Sequence, residues 1–234
     1  MPDQYTIRAR VLPAFLVALP LGLVTLAWFP DGLSRGSALW SLLVWSSVTV
    51  LVGQLGRDPG KRKQPHLFRS WGGEPAVKAL RHAGARNPAI VERIHKRMNA
   101  LMRTKLPTAA AEAADPQAAD QVYEACIRFL RDKTRDRKKF NLIFEENCNY
   151  GFRRNLWGLK PLGVTLAVVA LAATAALPIV HHGAVTSASL QPAAVPGLII
   201  FGILLGWLMV VTPRWVEVPA NTYAERLLEA TERL

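Results

Sequence analysis

Three stretches of the chain contain no Asp, Glu, Lys or Arg: 20 residues over 11–30, 21 over 36–56 and 53 over 161–213. A helix rises about 1.5 Å per residue, so about 20 apolar residues cross a hydrocarbon layer of roughly 30 Å. Each of the first two runs fits one crossing. The third is too long for one and fits two, parted by the polar, small and turn-rich segment from His181 to Pro192. Spans are expected near 11–30, 38–55, 162–180 and 195–213, rather than four buried core helices. Arg8 and Arg10 precede the first run as in a signal peptide. Its length and the bulky Ala27-Trp28-Phe29-Pro30 at the place of a cleavage site favour an uncleaved anchor.

Charge divides the chain in the same way. Residues 56–160 hold 23 Lys/Arg against 11 Asp/Glu, the whole of the formal +12, while the other 129 residues carry six of each. Cytoplasmic loops hold the excess of Lys/Arg, so the insert is expected in the cytoplasm. The loops 31–37 and 181–194 hold one such residue and none, and both face outward in this reading. Both termini then lie inside, in agreement with Arg8, Arg10, Arg214, Arg226 and Arg233. Trp28, Phe29, Trp40, Trp157 and Trp215 sit near span ends, where aromatic rings anchor at headgroup level. The fold class expected is all-α. A polytopic membrane protein of two outward hairpins (1–55 and 161–213) carries a basic helical cytoplasmic domain over 56–160 and an amphipathic tail over 214–234.

No expected span holds an ionisable side chain, which weighs against a proton-coupled transporter. Ser41, Ser46, Ser47 and Thr49 make the second span the polar one. Gly202 and Gly206 form a G-x-x-x-G pair in the fourth, a spacing that lets helices approach and makes these two residues the candidates for self-association.

Within the insert the signals are helical. Gly56–Gln64 reads as a basic Gly/Pro linker. Trp71-Gly72-Gly73-Glu74-Pro75 reads as a turn and a short helix to about His82. Asn87-Pro88 is an N-cap with Pro at the first helical position, followed by Ile90, Ile94, Met98, Leu101 and Met102 at helical spacing until Pro107. Asp115-Pro116 repeats the signal for a helix to about Arg135, with Val122, Cys126, Phe129 and Leu130 on one face. Arg131–Lys139 is densely basic. Gly151, Gly158 and Pro161 are expected to interrupt a helix from 138 to 180. In the tail, Thr222-x-x-Glu225 matches a capping box, and Tyr223, Leu227, Ala230 and Leu234 follow on one face.

Catalytic patterns are missing: there is no P-loop, GxGxxG, HExxH or GxSxG. Cys126 and Cys148 are too few for a disulfide scaffold and read as core thiols. His181-His182 reads as a solvated loop rather than a metal site. No enzyme, cofactor or metal is expected. The densest polar segment is Glu145 to Asn155. Its Arg153 and Arg154, with Tyr150 and Asn149 and supported by Arg69 and Trp71, are the candidates for contact with an anionic ligand such as a nucleotide. The competing reading makes the same segment a polar network holding the domain to the membrane, with the arginines at lipid headgroups. Lys61, Arg62, Lys63, Lys138 and Lys139 are candidates for the surface of a membrane containing anionic lipids. Nucleic acid is disfavoured, because aromatic interleaving and a binding motif are missing.

Three stretches carry a resemblance: Tyr5-Thr-Ile-Arg-Ala-Arg10, Leu67-Phe-Arg-Ser-Trp-Gly-Gly73, and Glu145–Lys160 with Tyr150-Gly-Phe-Arg-Arg-Asn155. They resemble stretches of bacterial four-span inner-membrane proteins of this size, a group for which no activity is established. The layout is also similar to that of small transmembrane effectors of anti-phage defence systems. That similarity implies a cytoplasmic domain that senses a nucleotide or protein and an oligomeric span bundle that permeabilises the inner membrane. The alternative is a non-catalytic accessory or scaffold subunit docking a cytoplasmic partner.

Overall fold

The computed structural model describes residues 3–28, 60–183 and 187–234. They are predominantly helical, with no strand among them. Three helices are long and apolar enough to cross a membrane: Gln4–Thr25, Asn141–Val180 and Ala193–Val210. The expected span 38–55, its serines and the loop 31–37 lie outside the described residues.

The chain forms two compact units. Unit 1 comprises Met1–Gln64 and Gly151–Val216, and unit 2 comprises Pro65–Tyr150 and Glu217–Leu234. In unit 1, the turn α1 (Gln4–Thr6) is capped by Asp3, whose carboxylate accepts from the Thr6 amide at 2.8 Å. A π-helical segment, Ile7–Val11, follows and leads into α2 (Leu12–Trp28). A helix over 60–70, α3, takes up part of the expected linker; Gly60 is buried. Next come α8 (Asn141–His182) and α9 (Ser187–Leu205), with a second π segment at Gly206–Val210. Ala14 and Val17 of α2, Leu156 and Leu159 of α8, and Trp207 and Val211 form the core of this unit.

Two expectations here need correction. Gly151, Gly158 and Pro161 do not break α8, which runs unbroken for 42 residues. Gly151 is where Tyr5 and Ala9 press closest, since an added Cβ would meet the Tyr5 hydroxyl at 2.9 Å and the Ala9 Cβ at 3.0 Å. The glycine thus serves packing between helices. The polar stretch before Pro192 is also shorter than a loop from 181 to 194, because α9 already begins at Ser187.

Unit 2 is built from α4 (Pro75–Lys78), α5 (Pro88–Met102), α6 (Ala109–Ala114), α7 (Pro116–Lys133), the start of α8 and the later part of α10 (Pro213–Glu229), closed by a 3-10 turn at Ala230–Glu232. The local caps act as the sequence implies. Asn87 accepts from the Ala89 amide at 3.1 Å and Asp115 from the Ala118 amide at 2.9 Å. The short Ala-rich helix α6 is capped by Thr108 and was not anticipated. α4 stops at Lys78, short of His82. α5 ends at Met102, where Arg103 takes the left-handed conformation with φ 51°.

The apolar faces fall largely where expected, with Leu101, Met102, Val122 and Phe129 packed against the core, and Ile90 is the exception. α5 buries Val91, Ile94, His95 and Met98 and leaves Ile90 exposed. α7 buries Ala119, Tyr123, Cys126, Ile127 and Leu130. Thr222 is not a cap: it lies inside α10 and its hydroxyl donates to the Val218 carbonyl at 3.2 Å. The helix starts nine residues earlier at Pro213, where the Thr212 hydroxyl accepts from the Trp215 amide at 3.3 Å.

Candidate functional site

The polar segment at the start of the α8 portion of unit 1 has a common task. Asn155 is 3% exposed and donates its amide to the Ala9 carbonyl at 2.6 Å. Ala9 lies in the first π segment. Lys160 donates to the carbonyls of Val211 at 2.8 Å and Leu208 at 3.3 Å, at the end of the second π segment. Arg153 donates to the Trp215 carbonyl at 2.9 Å and stands 4.6 Å over the Trp215 ring. A π turn leaves carbonyls without regular partners, as does a proline four residues on, and Pro219 stands in that place for Trp215; in an apolar surrounding each such group costs several kcal/mol. Side chains one to two turns apart on α8 supply those partners.

Arg154 is 9% exposed, and its guanidinium donates to Gln64 Oε1 at 2.9 Å and Asn155 Oδ1 at 3.4 Å. Lys63 donates to the Gly158 carbonyl at 3.1 Å and lies 5.4 Å from the centre of the Trp157 ring. Of the residues assigned to ligand contact, Arg153 and Arg154 therefore belong to a hydrogen-bond network inside unit 1. The remaining four belong to unit 2. Asn149 is exposed and donates to Glu146 at 3.4 Å, and Tyr150 is buried. Arg69 is exposed and donates to the Pro65 carbonyl at 3.4 Å. Trp71 is buried in the turn before Gly72 and Gly73, whose positive φ values of 78° and 134° suit glycine. Its carbonyl accepts from Lys78 Nζ, and its indole N–H has no hydrogen-bond partner among the described residues.

Among the residues assigned to the membrane surface, Lys61, Arg62, Lys138 and Lys139 are exposed. Apart from chain neighbours and the helix's own backbone, no described atom lies within 4 Å of a Cβ built on Gly202 or Gly206.

Unit 2 contains a buried polar centre that sequence reasoning does not find. Glu112, 4% exposed, accepts from the amides of His82 at 2.8 Å and Ala83 at 2.9 Å and from the Tyr123 hydroxyl at 2.7 Å. Burial pushes this carboxyl up, but the hydrogen bonds from Ala83, His82 and Tyr123 outweigh it and hold it below the usual range. Tyr123 is pushed up, first by burial and then by the same carboxylate. His95 donates to the Leu80 carbonyl at 2.7 Å and meets the His82 ring edge-on at 4.6 Å. Burial lowers its pKa. The only sequence signal was a lone acid in an alanine run. Beside this centre Arg81 grips Asp120 with two hydrogen bonds of 2.8 and 2.6 Å.

The contacts of Glu112 tie the turn at His82 and Ala83 to α6 and α7. Three hydrogen bonds engage both oxygens of Glu112, and burial raises the Cys126 thiol to about 11, far from a reactive thiolate. No cluster of three metal-ligating side chains converges among the described residues. No protein-family model matches the chain, and comparison with curated proteins and with solved structures also returns no match.

Proposed function

We propose that this chain is a non-enzymatic, multi-pass inner-membrane protein of a bacterium. Its helical unit binds an anionic ligand or a protein partner, and its apolar helices, assembled as a homo-oligomer, respond by permeabilising the membrane. The observation that carries this reading is the division into two units of different material. One holds the apolar lengths of three membrane-competent helices. The other has its own core and carries most of the charged side chains, 18 Lys/Arg against 14 Asp/Glu. In this reading a fourth span lies near 38–55, and both termini and 56–160 are cytoplasmic. Lys61, Arg62, Lys63, Lys138 and Lys139 lie toward anionic lipid, and Gly202 and Gly206 face other copies. Arg153, Arg154, Asn155 and Lys160 keep the helices of unit 1 in register. The layout supports a role in anti-phage defence by analogy alone.

Dye leakage from liposomes carrying the purified protein tests this, with and without linear and cyclic nucleotides and inorganic phosphates. Leakage that needs one of these anions is the expected result. No leakage under any condition, with insertion verified by protease protection, rejects membrane permeabilisation.

That second outcome would favour an accessory subunit docking a cytoplasmic partner. A cleft of about 620 Å³ between α5 and α10 supports this alternative. Lys78, Arg86 and Arg93 stand on one side and Glu225, Glu229 and Glu232 on the other, over Ile94, Ala224 and Leu228. Ile90→Asp would release a stoichiometric partner from that cleft.

A further inference from the structure

A smaller pocket in unit 2, of about 160 Å³, gathers cations from two segments far apart in sequence. Lys138 and Lys139 precede α8, and Arg226 and Arg233 come from the last turn of α10 and the residues after it. Glu229 is its only carboxylate and lies 2.8 Å from Arg226. Lys138, Lys139 and Arg233 have no carboxylate partner among the described residues. Phe140, 4% exposed, forms an apolar wall, and the Lys139 ammonium sits 5.2 Å from its ring centre.

Four cations against one carboxylate repel one another unless an anion joins them. Helical stacking of α8 begins at the same pocket, and its positive end adds to the side-chain charges. The volume narrows the choice of anion. Pockets for whole organic ligands measure about 300–1,000 Å³, so this one suits a single charged group rather than a whole nucleotide. Asp136 accepts from the Lys138 and Lys139 amides, and Glu146 and Glu225 act on the charge of Arg226, so the excess is smaller than the lining alone gives. A phosphate with up to two negative charges still suits four converging cations better than a single carboxylate does. Arginine forks and lysine point charges are its usual partners.

We infer that this pocket binds a phosphate group through Lys138, Lys139, Arg226 and Arg233. The site deepens the proposed function and rests on it for the consequence in the membrane, while binding itself is independent of it. The phosphate belongs either to a phospholipid head group or to a soluble phosphoester, and the two share this chemistry.

The test uses the full chain in non-ionic detergent. Inorganic pyrophosphate and dioctanoyl phosphatidic acid are titrated separately by calorimetry, with dioctanoylglycerol as the uncharged control. Saturable binding of at least one probe is expected. It should weaken at least tenfold in Arg233→Gln and in the double variant Lys138→Gln, Lys139→Gln. Arg128→Gln, at an exposed position on α7 outside the pocket, should change it less than twofold, and Arg233→Lys should retain it within threefold. Binding of pyrophosphate alone assigns the site to soluble phosphates, and binding of phosphatidic acid alone assigns it to a head group. Failure of both probes to bind, or equal weakening by Arg128→Gln, overturns the site. Dye leakage is read in parallel. Binding without leakage leaves the pocket standing and rejects permeabilisation; ligand-gated leakage that survives the pocket variants does the reverse.

Discussion

The side-chain amide of Asn155 donates to the backbone carbonyl of Ala9 across 146 residues of sequence, at 2.6 Å. Ala9 is 0% exposed and Asn155 3% exposed, so water cannot replace either partner. Asn155→Ala should destabilise the protein by about 1–3 kcal/mol, the usual cost of a buried polar group left without its partner. Asn155→Asp should cost at least as much, since a carboxylate cannot donate to the carbonyl. Thermal unfolding in detergent, followed by circular dichroism, measures both. A melting temperature equal to wild type for Asn155→Ala would show that this bond contributes nothing.

Lys160 provides a second case with a different control. Lys160→Met keeps most of the aliphatic stem and removes the donor to Val211 and Leu208. It should lower the melting temperature, while Lys160→Arg should stay near wild type because a guanidinium can reach the same carbonyls. Equal loss in both would mean that stem packing dominates.

Two glycines in the membrane-competent helices should behave differently. A Cβ on Gly163 would run into the Trp207 ring, whereas one on Gly202 meets no described atom beyond its chain neighbours and its own helix backbone. Gly163→Ala should cost about 1–3 kcal/mol through overpacking. Gly202→Ala should stay within about 0.5 kcal/mol. Gly202→Leu with Gly206→Leu should reduce cross-linking between copies severalfold while the melting curve persists. Unchanged cross-linking removes these glycines from any contact between copies.

Acid should weaken unit 2 in two stages. His95 and Glu112 both have lowered pKa values in the folded chain. Each therefore binds its proton more readily unfolded, and each contributes stability that is present at neutral pH and lost on acidification. The first loss begins below about pH 6.5, the ordinary histidine value, and runs through the lower folded value of His95. The second begins near about pH 4.3, the ordinary glutamate value, and continues below it. Melts between pH 7.5 and 3.5 would show this. Glu112→Gln should lower stability by about 1–3 kcal/mol at neutral pH and flatten the second stage. A second stage of unchanged depth in that variant would assign it to other carboxylates.

What could be read from the sequence depended on how local each cause is. Asn87-Pro88 and Asp115-Pro116 announced helix starts because a cap acts over three residues. The apolar runs announced membrane-competent helices because length and the lack of charge suffice. Gly151 misled because a glycine that breaks a helix and a glycine that admits a neighbouring side chain look alike until Tyr5 and Ala9 are placed beside it. Thr222-x-x-Glu225 misled because the same spacing occurs inside any helix, and the actual cap, Thr212, lacks the Glu three residues on. At the candidate site the density of polar groups over 145–155 was legible. The partners of Arg153 and Arg154, Trp215 and Gln64, stand 62 and 90 residues away and no pattern of spacing points to them. Glu112 stayed hidden for the same reason, since two of its donors are backbone amides, about 30 residues upstream, that any sequence would supply.

Forty-two residues of α8, at about 1.5 Å each, make a rod roughly 63 Å long. A hydrocarbon layer is about half that thickness, and no ordinary tilt hides such a rod within it. One backbone hydrogen-bond ladder, lacking donors at Pro161 and Pro178, must then run through two solvents. Its amides should exchange with deuterium on two separate timescales, with the crossover residue marking on the chain itself the depth at which water ends.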